Sequence, residues 1–248
     1  MEYIKLSDET KIIGRTLLSR VELAKDCKYG KKGDKGGWVE NLASCGKNTW
    51  IADEAMLMEL AILTDNAVIK DNAIVSGQSR IQKNAVISGN AQVKDKAIVS
   101  DKAQVMGRAI VQGQALVEGD AIIKDDVLMW GKAKLFSGTW IESPFQKQGP
   151  VHFVSQSRPD RLYIGCIEKS FLGWITGGYT VAKKYGAYKN NEYVSYESMI
   201  QPIIESYLKY CEDNWDDLGL AQKAQYKIIE VAGKAYLKGQ ADDPYTRE

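Results

Sequence analysis

From Ala61 onward, apolar and polar residues alternate in a phrase that recurs every six residues: AILTDN, AVIKDN, AIVSGQ, SRIQKN, AVISGN, AQVKDK, AIVSDK, AQVMGR, AIVQGQ, ALVEGD, AIIKDD, VLMWGK. Position three is always Ile, Val, Leu or Met, position one is Ala except at Ser79 and Val127, and position five is Gly or Asp except at Lys83. Positions one and three alternating with two and four give the period of a β-strand, and position five has the chemistry of a turn. A turn every six residues excludes a helix. Three short strands and three turns close an eighteen-residue triangular coil, and stacked coils pair each strand in parallel with its counterpart eighteen residues on. Position three then fills the interior, Ala at position one fits a tight corner, and Gly or Asp at position five suits a positive φ.

Weaker matches extend the frame upstream through TWIADE, AMLMEL, Cys45 and Val39, and downstream through AKLFSG and TWIESP. Residues 37–144 thus make eighteen hexads, or about six coils. At ~4.8 Å per strand the rod is about 29 Å long. Asn48, Asn66 and Asn84 align at one corner, and Asn72 and Asn90 at another, as ladders that can hydrogen-bond along the rod.

Both ends of such a rod expose core and unpaired strand edges, so both need caps. Residues 1–36 read as an N-terminal β cap, with YIKL and KIIG as strands around the turn residues SDET. Residues 145–248 read as a C-terminal α+β domain, with strands in VHFVSQ and RLYIG around SRPD. After residue 170 it is mostly helical, with helical periodicity in YESMIQPIIESYLKYCEDN and LAQKAQYKIIEVAGKAYLKG.

The hexads resemble those of the hexapeptide-repeat family, which implies a left-handed parallel β-helix. The general rule for parallel crossovers gives the opposite hand. The lead-in KKGDKGGWVENLAS and the later YIGCIEKSFLGW resemble segments of uncharacterised bacteriophage and prophage hexapeptide-repeat proteins. Gly36, Gly37, Trp38, Val39, Asn41 and Leu42 carry the first match, with Ala43 where Ser is usual. Tyr163 to Cys166 and Trp174 carry the second, in which an I-G-C strand precedes a Trp-containing helix. The phage likeness implies a host-directed role in the bacterial cytoplasm, such as anti-defence sequestration of a small nucleotide ligand or blocking of a host protein.

Composition narrows the chemistry. A formal charge of +1 gives no bulk attraction to nucleic acid. No apolar run is long enough to span a membrane, and no signal sequence follows Met1. Cys27, Cys45, Cys166 and Cys211 are too dispersed for a zinc site or a disulfide framework. The Gly-rich lead-in lacks the G-x-x-x-x-G-K-[ST] pattern of a phosphate loop.

Hexapeptide-repeat acyltransferases use acyl-CoA and a His general base. The only His here, His152, lies beyond the last hexad and is the weak catalytic candidate. The γ-type carbonic anhydrases of this fold need three His ligands, so no metal or other cofactor is expected. The pairs Asp125/Asp126 and Asp53/Glu54 read as solvated corners. Lys94, Lys96, Lys102 and Arg108 form a candidate anion- or partner-binding group interleaved with Asp95 and Asp101. Sorting position two by face gives an apolar, uncharged row, Trp50, Val68, Val86, Gln104, Ile122 and Trp140, as the candidate oligomer interface, and the family resemblance implies a closed homotrimer. The row Trp38, Met56, Ile74, Gln92, Ile110 and Leu128 is nearly as apolar. The reading is a non-catalytic oligomeric binding or scaffold protein, with a divergent acyltransferase as the alternative.

Overall fold

The structure is a computed structural model. It describes residues 3–148, 152–158, 161–170, 173–174, 188–189, 192–193, 205, 208–209, 211–212, 215–217, 223, 226–227 and 230–231. It divides into two units, Met1–Gln146 and Lys147–Glu248.

The first unit is a parallel β-solenoid of about six turns, built as the hexads dictate. Two-residue strands pair in parallel at a spacing of eighteen residues, as in Val68–Ile69, Val86–Ile87 and Gln104–Val105. They line up as three sheets, here named for a central position-two residue: the Ile74, Val86 and Ile98 faces. Position three is buried throughout the repeats, and Ala at position one is fully buried from Ala55 to Ala133. Position one admits little else. Ser79 is tolerated there because its hydroxyl donates to the Ser76 carbonyl at 2.7 Å.

Every position-five residue from Asp53 to Gly131 has a positive φ, including Lys83 at 59°. The turn therefore dictates the residue type. Where the site is Gly, space matters as well: a Cβ on Gly107 would lie 2.6 Å from the backbone nitrogen of Asp125.

The N-terminal cap is a hairpin of β1 (Ile4–Ile13) and β2 (Thr16–Leu23). Strand β2 pairs antiparallel with β3 (Lys35–Val39), and β3 pairs in parallel with Met56–Leu57. The hairpin thus shields the otherwise open edge of the Ile74 face. The Ser7–Thr10 stretch is not the turn its residue types suggest: it lies inside β1, with a register irregularity between Leu6 and Thr10. The chain reverses at Gly14, whose φ of 61° suits glycine.

Gly36 and Gly37 are needed because the chain enters the rod through a gap too narrow for a side chain. A Cβ on Gly36 would lie 2.3 Å from the Ile51 carbonyl oxygen, and one on Gly37 would lie 2.4 Å from that of Ala55. At the other end, side chains rather than a strand cover the Leu128–Met129 edge. The Leu128 N–H donates to Ser143 Oγ at 2.9 Å, and the Trp130 N–H to Gln146 Oε1 at 2.9 Å.

The last coil departs from the six-residue frame. Ile123 pairs with Trp140, not with Ile141, so this turn is one residue short and Gly138 stands where Ala is usual. Trp140 is accordingly 8% exposed inside the rod, and Ile141 is 56% exposed outside it. The outward position assigned to Trp140 by counting hexads is corrected.

In the second unit, strands Phe153–Arg158 and Arg161–Ile164 pair antiparallel, as the residues around SRPD suggest. A third strand, Ile167–Ser170, follows across a two-residue turn at Gly165 and Cys166. Only Ile164 of the I-G-C sequence is therefore in a strand; Gly165 and Cys166 form a hairpin turn, with glycine at its first position at φ 63°. Trp174 is buried and its indole donates to the Leu162 carbonyl at 3.0 Å. A mostly helical domain is not what the described residues show. Gly173–Trp174 are helical, as are Glu205, 208–209, 211–212, 223, 226–227 and 230–231 of the two stretches read as long helices. The rest of those stretches, Pro202 included, lies outside the described residues.

Candidate functional site

The corners of the rod hold most of its charged groups, and the backbone there explains what they do. At six corners the position-five N–H points along the rod, and a carboxylate eighteen residues earlier accepts from it. Asp53 accepts from Asp71 N–H at 3.1 Å, Asp71 from Gly89 at 2.7 Å, and Glu59 from Gly77 at 2.6 Å. Asp65 accepts from Lys83 at 3.0 Å, Asp95 from Gly113 at 2.8 Å, and Asp101 from Gly119 at 3.2 Å. The second oxygen of Asp101 takes the Lys83 ammonium at 2.6 Å, which with the Gly119 amide holds the Asp101 carboxyl below its usual range. The Asn ladder exists at one step, Asn66 donating to Asn84 at 3.3 Å.

This geometry separates the candidate anion site. Lys94 and Lys96 follow a strand of the Ile74 face, Lys102 one of the Ile98 face and Arg108 one of the Val86 face, so the four residues occupy three different corners. Counting along the chain brings them together; winding around the rod parts them. Arg108 is moreover committed to Asp126 through two hydrogen bonds of 2.6 Å, which lower the Asp126 carboxyl and raise the guanidinium. His152 is half-buried in the second unit and packs beside Gly165, where a Cβ would lie 3.1 Å from the imidazole Cγ.

Among the proposed interface residues, Val68, Val86, Gln104 and Ile122 do project from one face and are half-buried in the single chain. Trp50 is buried by its own chain: the Tyr29 ring stacks on it at 5.7 Å between centroids, and Tyr3 lies 6.5 Å beyond Tyr29. Trp38, on the neighbouring face, is covered in the same way. Its indole donates to Glu54 at 2.8 Å, with the Lys11 ammonium 4.3 Å and the Arg20 guanidinium 5.0 Å from the ring centre.

A cleft of about 680 Å³ opens where the loop after β2 meets the first coils. Tyr3, Lys25, Cys27, Lys28, Tyr29, Lys47, Asn48 and Asn66 line it. The loop is fixed by its own backbone. Cys27 and Gly30 exchange both N–H···O bonds, Gly33 N–H reaches Leu23, and the Tyr29 hydroxyl donates to the Asn48 carbonyl at 2.5 Å. Tyr3 donates to the Thr49 carbonyl, and burial pushes its phenol up to about 12. The two acids of the loop are turned into it: Asp26 accepts from Lys32 N–H and Asp34 from Lys31 N–H, each at 2.8 Å. The sequence signal was present in KDCKYGKK, but the Tyr29–Trp50 contact that makes the cleft joins residues far apart in the chain.

The class that the fold defines is a mainly β protein with a parallel β-solenoid, consistent with a hexapeptide-repeat fold. No family model matches the chain, and no curated protein matches it. Among the described residues, no group of His, Cys, Asp and Glu is arranged to hold a metal, and no helix is long and apolar enough to cross a membrane.

Proposed function

We propose that this chain is a non-catalytic, oligomeric binding or scaffold protein of phage type. In this reading the solenoid is left-handed, closes into a homotrimer, and acts in the host cytoplasm by sequestering a ligand or blocking a partner protein. The use the rod makes of its own charged groups is the main support. The carboxylates of Asp53, Glu59, Asp65, Asp71, Asp95 and Asp101 already accept backbone amides of the following coil. Side chains committed to the backbone of the rod in this way serve its fold rather than a substrate. The resemblance of residues 36–42 and 163–166 to phage proteins supports the host-directed part.

Native mass spectrometry of protein purified from its host tests the assembly and reveals a retained ligand in one measurement. A trimer mass without acetyl-CoA turnover, and a biological effect that survives His152→Ala, are the expected results. Acetyl-CoA turnover that disappears in His152→Ala would replace this reading with an acyltransferase.

A further inference from the structure

We propose that the corner between the Ile74 and Ile98 faces docks an acidic α-helix of a partner protein, with Lys94, Lys96 and Lys132 taking its carboxylates. The inference rests on the reading of the chain as one that blocks a partner protein, and it supplies the chemistry of that partner.

The corner presents a ladder. Position six of four successive coils places Gln78, Lys96, Gln114 and Lys132 one above the other, and all four are exposed. The backbone fixes their register: Gln78 N–H donates to the Asp95 carbonyl at 2.5 Å, Lys96 N–H to that of Gly113 at 2.8 Å, and Gln114 N–H to that of Gly131 at 2.6 Å. Lys94, half-buried, adds a second ammonium on the rung of Lys96. Lysine thus alternates with an uncharged amide along the row, and Lys96 and Lys132 lie two rungs, or about 10 Å, apart. Asp95 shares this corner, but its carboxylate is turned along the rod to the Gly113 N–H at 2.8 Å.

The other two corners use their cations differently. Lys83 pairs with Asp101 and Arg108 with Asp126, each at 2.6 Å. Among the described residues, Lys94, Lys96 and Lys132 form no such pair. Their place on the rod matters as well. In a triangular coil this corner is opposite the Val86 face, so a trimer closed through that face turns the ladder outward.

The partner class follows from the spacing. Seven residues of α-helix rise about 10 Å and return to nearly the same side, so carboxylates seven residues apart meet Lys96 and Lys132 while the turn between them lies over Gln114. A helix brings these groups already ordered, whereas an extended acidic chain would lose its backbone freedom on being laid along a convex ridge. Nucleic acid fits less well. Its charge is continuous, and lysines separated by neutral amides would neutralise few phosphates.

Fluorescence anisotropy with the purified full chain at low salt tests the proposal. The probes are a labelled alanine- and glutamine-based helical peptide with glutamate at every seventh position, the same peptide with its glutamates redistributed around the helix, and single-stranded oligothymidylate. Saturable binding of the first peptide, weakening as salt is raised, is expected. Lys96→Gln and Lys132→Gln should each weaken it about threefold, and the double variant about tenfold. Both variants keep the fold, because the rod itself carries glutamine at position six in Gln78 and Gln114. Lys70→Gln, at the corner between the Val86 and Ile74 faces, should leave binding unchanged. The proposal is overturned by no saturable binding, by equal affinity for the redistributed peptide, by equal loss in Lys70→Gln, or by tighter binding of the oligonucleotide. Those results leave the oligomer mass and the acetyl-CoA assay untouched, so failure here is distinct from failure of the scaffold reading.

Discussion

At the scale of the residue, the protein turns on one backbone feature repeated along its corners: a positive φ, whose N–H at six of them finds a carboxylate acceptor one coil earlier. Asp meets both demands. It tolerates positive φ better than most side chains and its carboxylate reaches the amide above, as Asp71 reaches Gly89 at 2.7 Å from a φ of 60°. Asp71→Ala removes the acceptor and leaves a β-carbon in the unfavourable region, and should cost about 1–3 kcal/mol. Asp71→Asn keeps both an acceptor and the conformational tolerance, and should lose less than half as much. Urea unfolding of the two variants beside the parent decides it; equal losses would show that the hydrogen bond contributes nothing. The preference for Asp or Gly at position five was legible in the sequence as a demand for positive φ, but the hydrogen bond of the carboxylate was not. One hexad cannot show that its carboxylate serves a backbone group eighteen residues later, which is why Asp53 read as a solvated corner.

At the scale of the element, the repeat predicts strand, turn and interior wherever each hexad occupies six residues. It fails where the geometry changes without a change in composition. The run Thr139-Trp140-Ile141 offers two apolar residues for one interior position, and frame counting selects Ile141. The shortened turn at Gly138 selects Trp140 instead, gaining the burial of the larger side chain. Ser7–Thr10 fails for the complementary reason: its turn-forming residue types sit in a strand fixed by pairing with β2. The cap that β1 and β2 form is attached to the rod in part through Glu54, which accepts the Trp38 indole and pairs with Arg20 at 3.0 Å and Lys11 at 3.5 Å. The Trp38 hydrogen bond, followed by the two cations, holds its carboxyl below the ordinary value of 4.5. Because the folded value is depressed, the stabilisation is complete above 4.5 and is lost as the pH falls through the lower folded value. The Glu54 side chain is half exposed, so solvent screening keeps the charge contribution under about 1 kcal/mol. Glu54→Gln keeps an acceptor for Trp38 and loses the charge. The melting temperatures of parent and variant should therefore differ near neutral pH and converge on acidification. A difference that does not narrow would remove Glu54 as the cause.

At the scale of the whole molecule, the question is which outward surface the single chain leaves for assembly. The structure narrows it from both ends of the Val86 face. Trp50 is covered by Tyr29, and Trp140 turns inward, with Thr139 taking its outward place. What remains is Val68, Val86, Gln104 and Ile122, four consecutive rungs without a charge at position two. The Ile98 face is interrupted at the same position by Arg80 and Lys134, each of which would have to be desolvated in an interface. Val86 lies at the middle of the uncharged strip, in register with Val68 and Gln104, and its side chain points away from the interior column of Ile69, Ile87 and Val105. A guanidinium at this point would meet its symmetry mates across a trimer axis, adding repulsion to lost apolar contact, while the coil itself keeps its interior and its backbone ladder. Val86→Arg should therefore shift the mass seen by light scattering from trimer toward monomer at micromolar concentration, with unchanged β-sheet circular dichroism. A monomeric parent would defeat the trimer. An oligomer indifferent to Val86→Arg would move the interface to the Ile74 face, where Met56, Ile74, Gln92 and Ile110 form the other uncharged strip.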